Sequence, residues 1–196
     1  PRYYDGIWWI QDAASQIPCN LLLTKIPKHF INTTLTSLKV LDLCCAPGGK
    51  SAQLLDNDLD IVCIEKSELR SKRFNENMER LNFKSKMFIA NAENYDPGFK
   101  PDVILIDAPC SATGTIRRNP DIFIKPAPKN LDDLIKVQDN ILKNASKILN
   151  KNGIIMYITC SLQKIEGERR IEKFLLEQSN FSIIPFYLNE YPMIES

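Results

Sequence analysis

The sequence predicts an α/β fold, a mostly parallel twisted sheet with helices on both faces. Two patterns predict it. Short apolar runs alternate with helix-length amphipathic stretches along the chain, which is how strands joined by crossover helices read. The runs are also nearly continuous in apolar residues, as in LKVLDL at 38–43 and PDVILID at 101–107, and strands buried on both faces need that. A length of 196 residues fits one domain, and a chain of this size hides roughly 70% of its unfolded surface.

Taken in order, residues 1–36 read as a helical lead-in and 37–196 as the main domain. Strands are expected at 38–43, 60–65, 85–89, 101–107, 153–159 and 181–186. Helices are expected at 48–56, 67–81, 131–149 and 165–177. In the second of these, Leu69, Phe74, Met78 and Leu81 recur near one face. Leu134, Val137, Ile141, Ile148 and Leu149 are the apolar positions of the third. Pro97-Gly98 and Lys100-Pro101 punctuate the approach to the fourth strand.

Composition sets limits. The chain is 44% apolar and 25% charged, with 25 Lys+Arg against 24 Asp+Glu, a net charge of +1. That balance excludes the strongly basic profile of an autonomous nucleic-acid binder, so RNA or DNA would have to meet a local basic groove or a separate domain. No apolar run is long enough to span a bilayer and no signal-peptide pattern opens the chain, so no membrane partner is expected. Six Cys, two of them adjacent (Cys44 and Cys45), do not suit a disulfide scaffold, and a reduced, cytoplasmic setting is expected.

Ligands of such sheets bind outside the carboxyl ends of the strands. Those ends hold residues 42–50, Glu65, Asn91, 107–110 and 159–161. The first strand runs into DLCCAPGGKSAQL. Gly48 and Gly49 permit unusual backbone angles and close approach of the backbone to a ligand. The helix that follows offers free N–H groups to a negative or polar partner. GGKS resembles the tail of a P-loop, but that motif needs glycine where Cys44 stands. The second strand ends in Glu65, a carboxylate placed either to hold ribose hydroxyls or to favour a helix start.

The fourth strand ends Ile106-Asp107-Ala108-Pro109-Cys110 and the fifth Ile158-Thr159-Cys160-Ser161. If these strands are neighbours, both thiols face one cleft. A thiolate is a strong nucleophile near neutral pH, and two thiols suggest a nucleophile with an acid/base partner. Zinc would want CxxC or Cys/His spacing. There is no CxxC and the single His is His29, so no metal is expected. Cys19 and Cys63 read as packing residues.

These residues spell a family. The chain resembles the RNA cytosine-5 methyltransferases, most closely the bacterial 16S rRNA branch (RsmB/Sun/Fmu). The matching pieces are GIWWIQDAASQIPCNLL, VLDLCCAPGGKSAQLL, IDAPCSATGTIRRNPDI and YITCSLQKIEGE, in order across nearly the whole chain. DAPCSATG together with TCS is highly specific.

The resemblance implies a Rossmann-like, S-adenosylmethionine-dependent methyltransferase. Cys44, Cys45, Ala46, Pro47, Gly48, Gly49 and Lys50 would hold the methionine part of the cofactor and Glu65 its ribose. Asn91 would sit by the adenine, where the family usually has Asp. Asp107 would stand near both cofactor and base. Cys160 would add to cytosine C6, making C5 nucleophilic, and Cys110 would help release the product. Lys50 would lower a nearby thiol pKa or contact the base. Arg117, Arg118 and Lys125 would meet phosphates. The implied partner is RNA, 16S rRNA first, presented single-stranded or with the base extruded, and the expected state is a monomer.

After TCS the family often has a Glu-Glu-Asn run, which here reads Ile165-Glu166-Gly167. Two rivals share the fold: a methyltransferase for tRNA or another RNA, and a non-catalytic RNA-binding or assembly module. A DNA cytosine methyltransferase would use the Pro-Cys thiol as nucleophile, and the TCS element speaks against it. The rRNA branch carries an N-terminal helical RNA-binding domain and a final strand, so the chain is expected to be a catalytic piece that binds cofactor and holds RNA weakly.

Overall fold

The computed structural model describes residues 2–124 and 130–186. The chain opens with helix α1 (Ala13–His29), which starts where the Asp12 carboxylate accepts the Ala14 N–H at 2.9 Å, a side-chain cap for an orphan backbone donor. Strand β1 (Lys39–Asp42), helix α2 (Gly49–Leu55), β2 (Asp60–Glu65), α3 (Glu68–Arg80) and β3 (Lys86–Ile89) follow in alternation. After β3 come β4 (Val103–Asp107), α4 (Leu131–Ile148), β5 (Ile154–Ile158) and α5 (Glu168–Glu177). Ser67 and Asn130 cap α3 and α4 through their side chains.

The five strands form one parallel sheet in the order β3-β2-β1-β4-β5. The chain steps outward from β1 to β3, then returns to the other side of β1 as β4. The order therefore reverses between β1 and β4, and the crevice of such a sheet opens above their carboxyl ends.

The pleat sorts the apolar side chains by a period of two. Val40, Ile61, Cys63, Val103, Leu105 and Met156 join a buried cluster with Leu22 of α1, Leu54 of α2 and Phe74 of α3. Leu41, Ile64, Ile104 and Ile106 alternate to the other face and pack on Ile141, Leu142 and Ala145 of α4. Continuous apolar strands thus have a helical layer on each side. β3 forms one sheet edge and leaves Phe88 and Ile89 exposed.

Three expectations shift. Residues 181–186 do not form a strand. Their apolar side chains pack instead of pairing: Phe181 meets the Phe174 ring edge-on at 5.2 Å and Ile184 lies against the first cluster, while Pro185 has no N–H to give a ladder. The last helix begins at Glu168 rather than Ile165, because residues 164–167 form a turn that points Glu166 inward. Leu69 is 66% exposed. It stands five positions before Phe74, about 140° round the helix from it, and so off the buried face.

Phe74 has no exposed surface and joins α3 to the sheet. Phe74→Ala should cost about 3–5 kcal/mol. Urea unfolding followed by tryptophan fluorescence checks this, and an unchanged midpoint would contradict the packing described.

Candidate active site

The site is built where β1 and β4 end. Pairing runs on past the strands: the Leu43 N–H donates to Leu105 O at 2.9 Å and the Cys45 N–H to Ile64 O at 3.1 Å. The chain then turns at Gly48, whose φ of +107° lies in the left-handed region. The positive φ is what calls for glycine; a Cβ there would also press on the Met78 methyl at 2.8 Å and the Phe74 ring at 3.1 Å. Beneath the turn, buried Asp42 accepts the Ser51 hydroxyl at 2.7 Å. Burial pushes the Asp42 carboxyl up to about 7, against the lowering effect of the Ser51 bond.

The loop residues part company. Cys45 and Ala46 are buried in the first cluster, leaving them only backbone to offer. Cys44 borders a cleft of about 410 Å³ that Glu65, Asn91, Asp107, Cys110 and Cys160 also line. Pro47, Gly48, Gly49 and Lys50 border a second cavity of about 380 Å³, which Cys44 and Asp107 share with the first. The two cavities lie on either side of the turn.

At the end of β2, Glu65 is buried. Its Oε1 accepts the Ser67 N–H at 2.9 Å, whereas Oε2 has no hydrogen-bond partner. The Arg70 guanidinium stands 3.4 Å from that oxygen. Asn91, beyond β3, accepts the Glu93 N–H at 3.2 Å with its side-chain oxygen. Lys50 Nζ donates to Asp107 Oδ2 at 2.7 Å, joining α2 to the end of β4.

Cys110 and Cys160 meet with their sulfurs 3.3 Å apart. The hydrogen bond from Cys160 pulls the Cys110 thiol down to about 6; burial opposes this and the Thr159 hydroxyl and the Ala112 N–H assist. The same contact pushes Cys160 up, together with burial and the charge on Cys110. The pair therefore titrates as a unit, one proton being shared across the contact between the two sulfurs. The other thiols differ. Cys19, fully buried, is pushed up to about 12, chiefly by desolvation, and Cys44 is also raised by burial, so neither ionises near neutral pH.

The two cysteine loops are locked at the backbone. The Gly114 N–H donates to Cys160 O at 2.8 Å, and a Cβ on Gly114 would meet that oxygen at 2.6 Å. Below the sulfurs lies a polar cluster that sequence reasoning missed: Ser111, Ser161, Gln138 and Glu166. The signal available for it was the serine that follows each cysteine, in PCS and TCS.

Arg117 is exposed. Arg118 Nε lies 3.4 Å from Asp12 Oδ2 and borders the second cavity. Lys125 lies outside the described residues. Among the described residues no group of three His, Cys, Asp or Glu could hold a metal ion, and no helix is long and apolar enough to cross a membrane.

Comparison with known proteins turns on the same segments. The family described as 16S rRNA methyltransferase RsmB/F matches residues 33–195. The chain belongs to this family. A relative named ribosomal RNA small subunit methyltransferase B, from Vibrio vulnificus (strain YJ016), is 35% identical over 180 residues, which is 89% of this chain and 40% of the relative. Another of that name, from Photorhabdus laumondii subsp. laumondii, is 37% identical over 185 residues, 92% of this chain and 41% of its own. This chain thus spans about 40% of the length of the curated relatives it matches.

The solved structure of NSun6 from Pyrococcus horikoshii with SFG has a TM-score of 0.77 at 26% identity, covering 90% of this chain and 44% of that one. A methyltransferase homolog protein from the same organism has a TM-score of 0.67 at 29% identity, covering 91% of this chain and 54% of that one. The fold of this RsmB/F family member is therefore the Rossmann-like methyltransferase fold.

The coupled thiols make a direct prediction. Because the Cys110 thiolate forms as pH rises through about 6, alkylation of Cys110 by iodoacetamide should rise with a midpoint near that value, and Cys160 should lag. Peptide mass spectrometry across a pH series reads both sites. A Cys110 midpoint near 9, the ordinary thiol value, would mean the pair does not couple.

Proposed function

We propose that this chain is the catalytic domain of an S-adenosylmethionine-dependent RNA cytosine-5 methyltransferase acting on 16S rRNA. The observation that carries the reading is the thiol pair, 3.3 Å apart, in one cleft with the buried Glu65 carboxylate. The names of the relatives support rRNA as the substrate.

The residues fit the cofactor. Glu65 Oε2, buried, making no hydrogen bond and with the Arg70 guanidinium 3.4 Å away, suits a ribose hydroxyl, which would supply the hydrogen bond that the ion pair leaves unmade. Cys44 and Asp107 would stand by the methionine part with the backbone of 45–49, and Asn91 by the adenine. S-adenosylmethionine, when bound, supplies an electrophilic methyl group.

The chain's own groups do the rest. As the Cys160 sulfur bonds to C6 of the cytosine, its proton passes to Cys110, and the C5–C6 π pair shifts onto C5 and into the ring toward N3. Asp107 and Lys50, already paired at 2.7 Å, present an acceptor to the cytosine amino group and a donor toward N3, where the Lys50 ammonium steadies the ring charge. Cys110, having given its proton to solvent, then takes the proton from methylated C5. That electron pair restores the C5–C6 bond and the Cys160–C6 bond breaks, returning the Cys160 thiolate. Arg117 and Arg118 would meet RNA phosphates beside the cleft.

The test is methyl transfer from tritiated cofactor to 16S rRNA, with the product base mapped by mass spectrometry. Cys160→Ala should abolish both transfer and covalent adduct. Cys110→Ala should accumulate a protein–RNA adduct that survives denaturation. An adduct with Cys160→Ala would reverse the roles, and methylation of tRNA but not rRNA would reassign the substrate.

A further inference from the structure

Glu166 takes no part in the chemistry above, yet it is fully enclosed, at 0% exposure. Burial alone would push its carboxyl up. Hydrogen bonds from the Ser111 hydroxyl and N–H and from Gln138, with the Ser161 hydroxyl close by, outweigh that and hold it below the ordinary carboxylate value. A buried charge of this kind is tolerated only where its partners are fixed around it.

Those partners belong to the two cysteine loops. The Ser111 N–H donates to Glu166 Oε1 at 2.9 Å, and the Ser111 hydroxyl donates to Oε2 at 2.5 Å. The Ser111 and Ser161 hydroxyls lie 3.0 Å apart. Gln138, from α4, donates both to Glu166 Oε1 at 3.0 Å and to Pro109 O at 2.9 Å. Tyr157 OH reaches the Glu166 carbonyl at 2.8 Å. Ser111 follows Cys110 and Ser161 follows Cys160, so a pair of hydroxyls anchored on one carboxylate sits beside the pair of thiols.

We propose that Glu166 is a positioning residue for the thiol pair. Its carboxylate fixes Ser111 directly and Ser161 through Ser111, and this holds the Cys110 and Cys160 sulfurs at 3.3 Å. Being enclosed, it touches neither substrate nor cofactor and acts only through the two loops. Its effect on methyl transfer rests on the function proposed above; its effect on sulfur spacing does not.

Phenylarsine oxide tests the spacing, because one arsenic must take both thiols, releasing water. Binding is measured on the full chain of the wild type, Glu166→Gln and Ser111→Ala, with Cys160→Ala as the blank for the remaining thiols. Thermal unfolding reports whether each is folded. Glu166→Gln keeps the shape of the side chain but turns an amide donor toward Ser111, and arsenical binding should weaken on the order of tenfold in a folded protein.

Wild-type affinity in folded Glu166→Gln overturns the proposal. If that variant does not fold, Ser111→Ala, which removes one arm of the clamp and leaves the acid in place, decides by the same criterion. In the methyl-transfer assay kcat should fall with KM for RNA unchanged; an unchanged kcat where arsenical binding has weakened overturns the catalytic consequence. A wild type that transfers no methyl, beside a variant that has lost arsenical affinity, would remove the proposed function and leave the positioning role standing.

Discussion

The register of β4 against β5 decides what this molecule can be. Asp107 pairs with Ile158, so the two chains leave the sheet side by side and each places a cysteine a few residues beyond the same level. A slip of one residue would turn every side chain of β5 to the opposite face. A slip of two would keep the faces and part the loops by about 6.6 Å, against a sulfur separation of 3.3 Å. The Gly114–Cys160 backbone bond and the serine cluster under the thiols extend that register past the strands, where no ladder would enforce it.

Environment then sets one residue type to different tasks. The six free cysteines share a side chain and differ in what surrounds them. Cys19 and Cys63 have no exposed surface and serve the first core cluster. Cys110 has a donor thiol at its side, and that contact outweighs burial, which raises Cys19 and Cys44. The buried carboxylates divide likewise. Asp42 is held up by burial, while Glu166 is held down by the hydrogen-bond donors around it. More hydrogen bonds reach Glu166 than reach Asp42, and each favours the charged form.

Strands and crossover helices were legible because burial on both faces leaves a continuous apolar trace, and β2 has the bounds expected of it. The end of the chain was not, since apolar residues at 181–186 read alike whether they pair by backbone or pack by side chain. Leu69 misled for a related reason: an apolar residue in the first turn of α3 carries no mark of which way it faces. In the site, Glu65, Asn91, Asp107, Cys110 and Cys160 lie at strand ends, and topology alone draws strand ends together. Glu166 and Gln138 come from a turn and a helix interior. Their meeting with Ser111 depends on how α4 and α5 pack on the sheet, which no local pattern encodes.

The exposed edge at β3 bears on how the chain behaves in bulk. An edge strand offers unpaired backbone groups to any passing strand, and apolar side chains beside them make that offer stronger. Phe88 and Ile89 are 48% and 55% exposed there, with the Tyr95 ring 6.3 Å from Phe88 as partial cover. Lys86 opens the same strand and Lys84 precedes it by two residues, placing positive charge at one end of the edge. Like charge at the border of the sheet disfavours the approach of a second such edge, and salt weakens that repulsion by screening it.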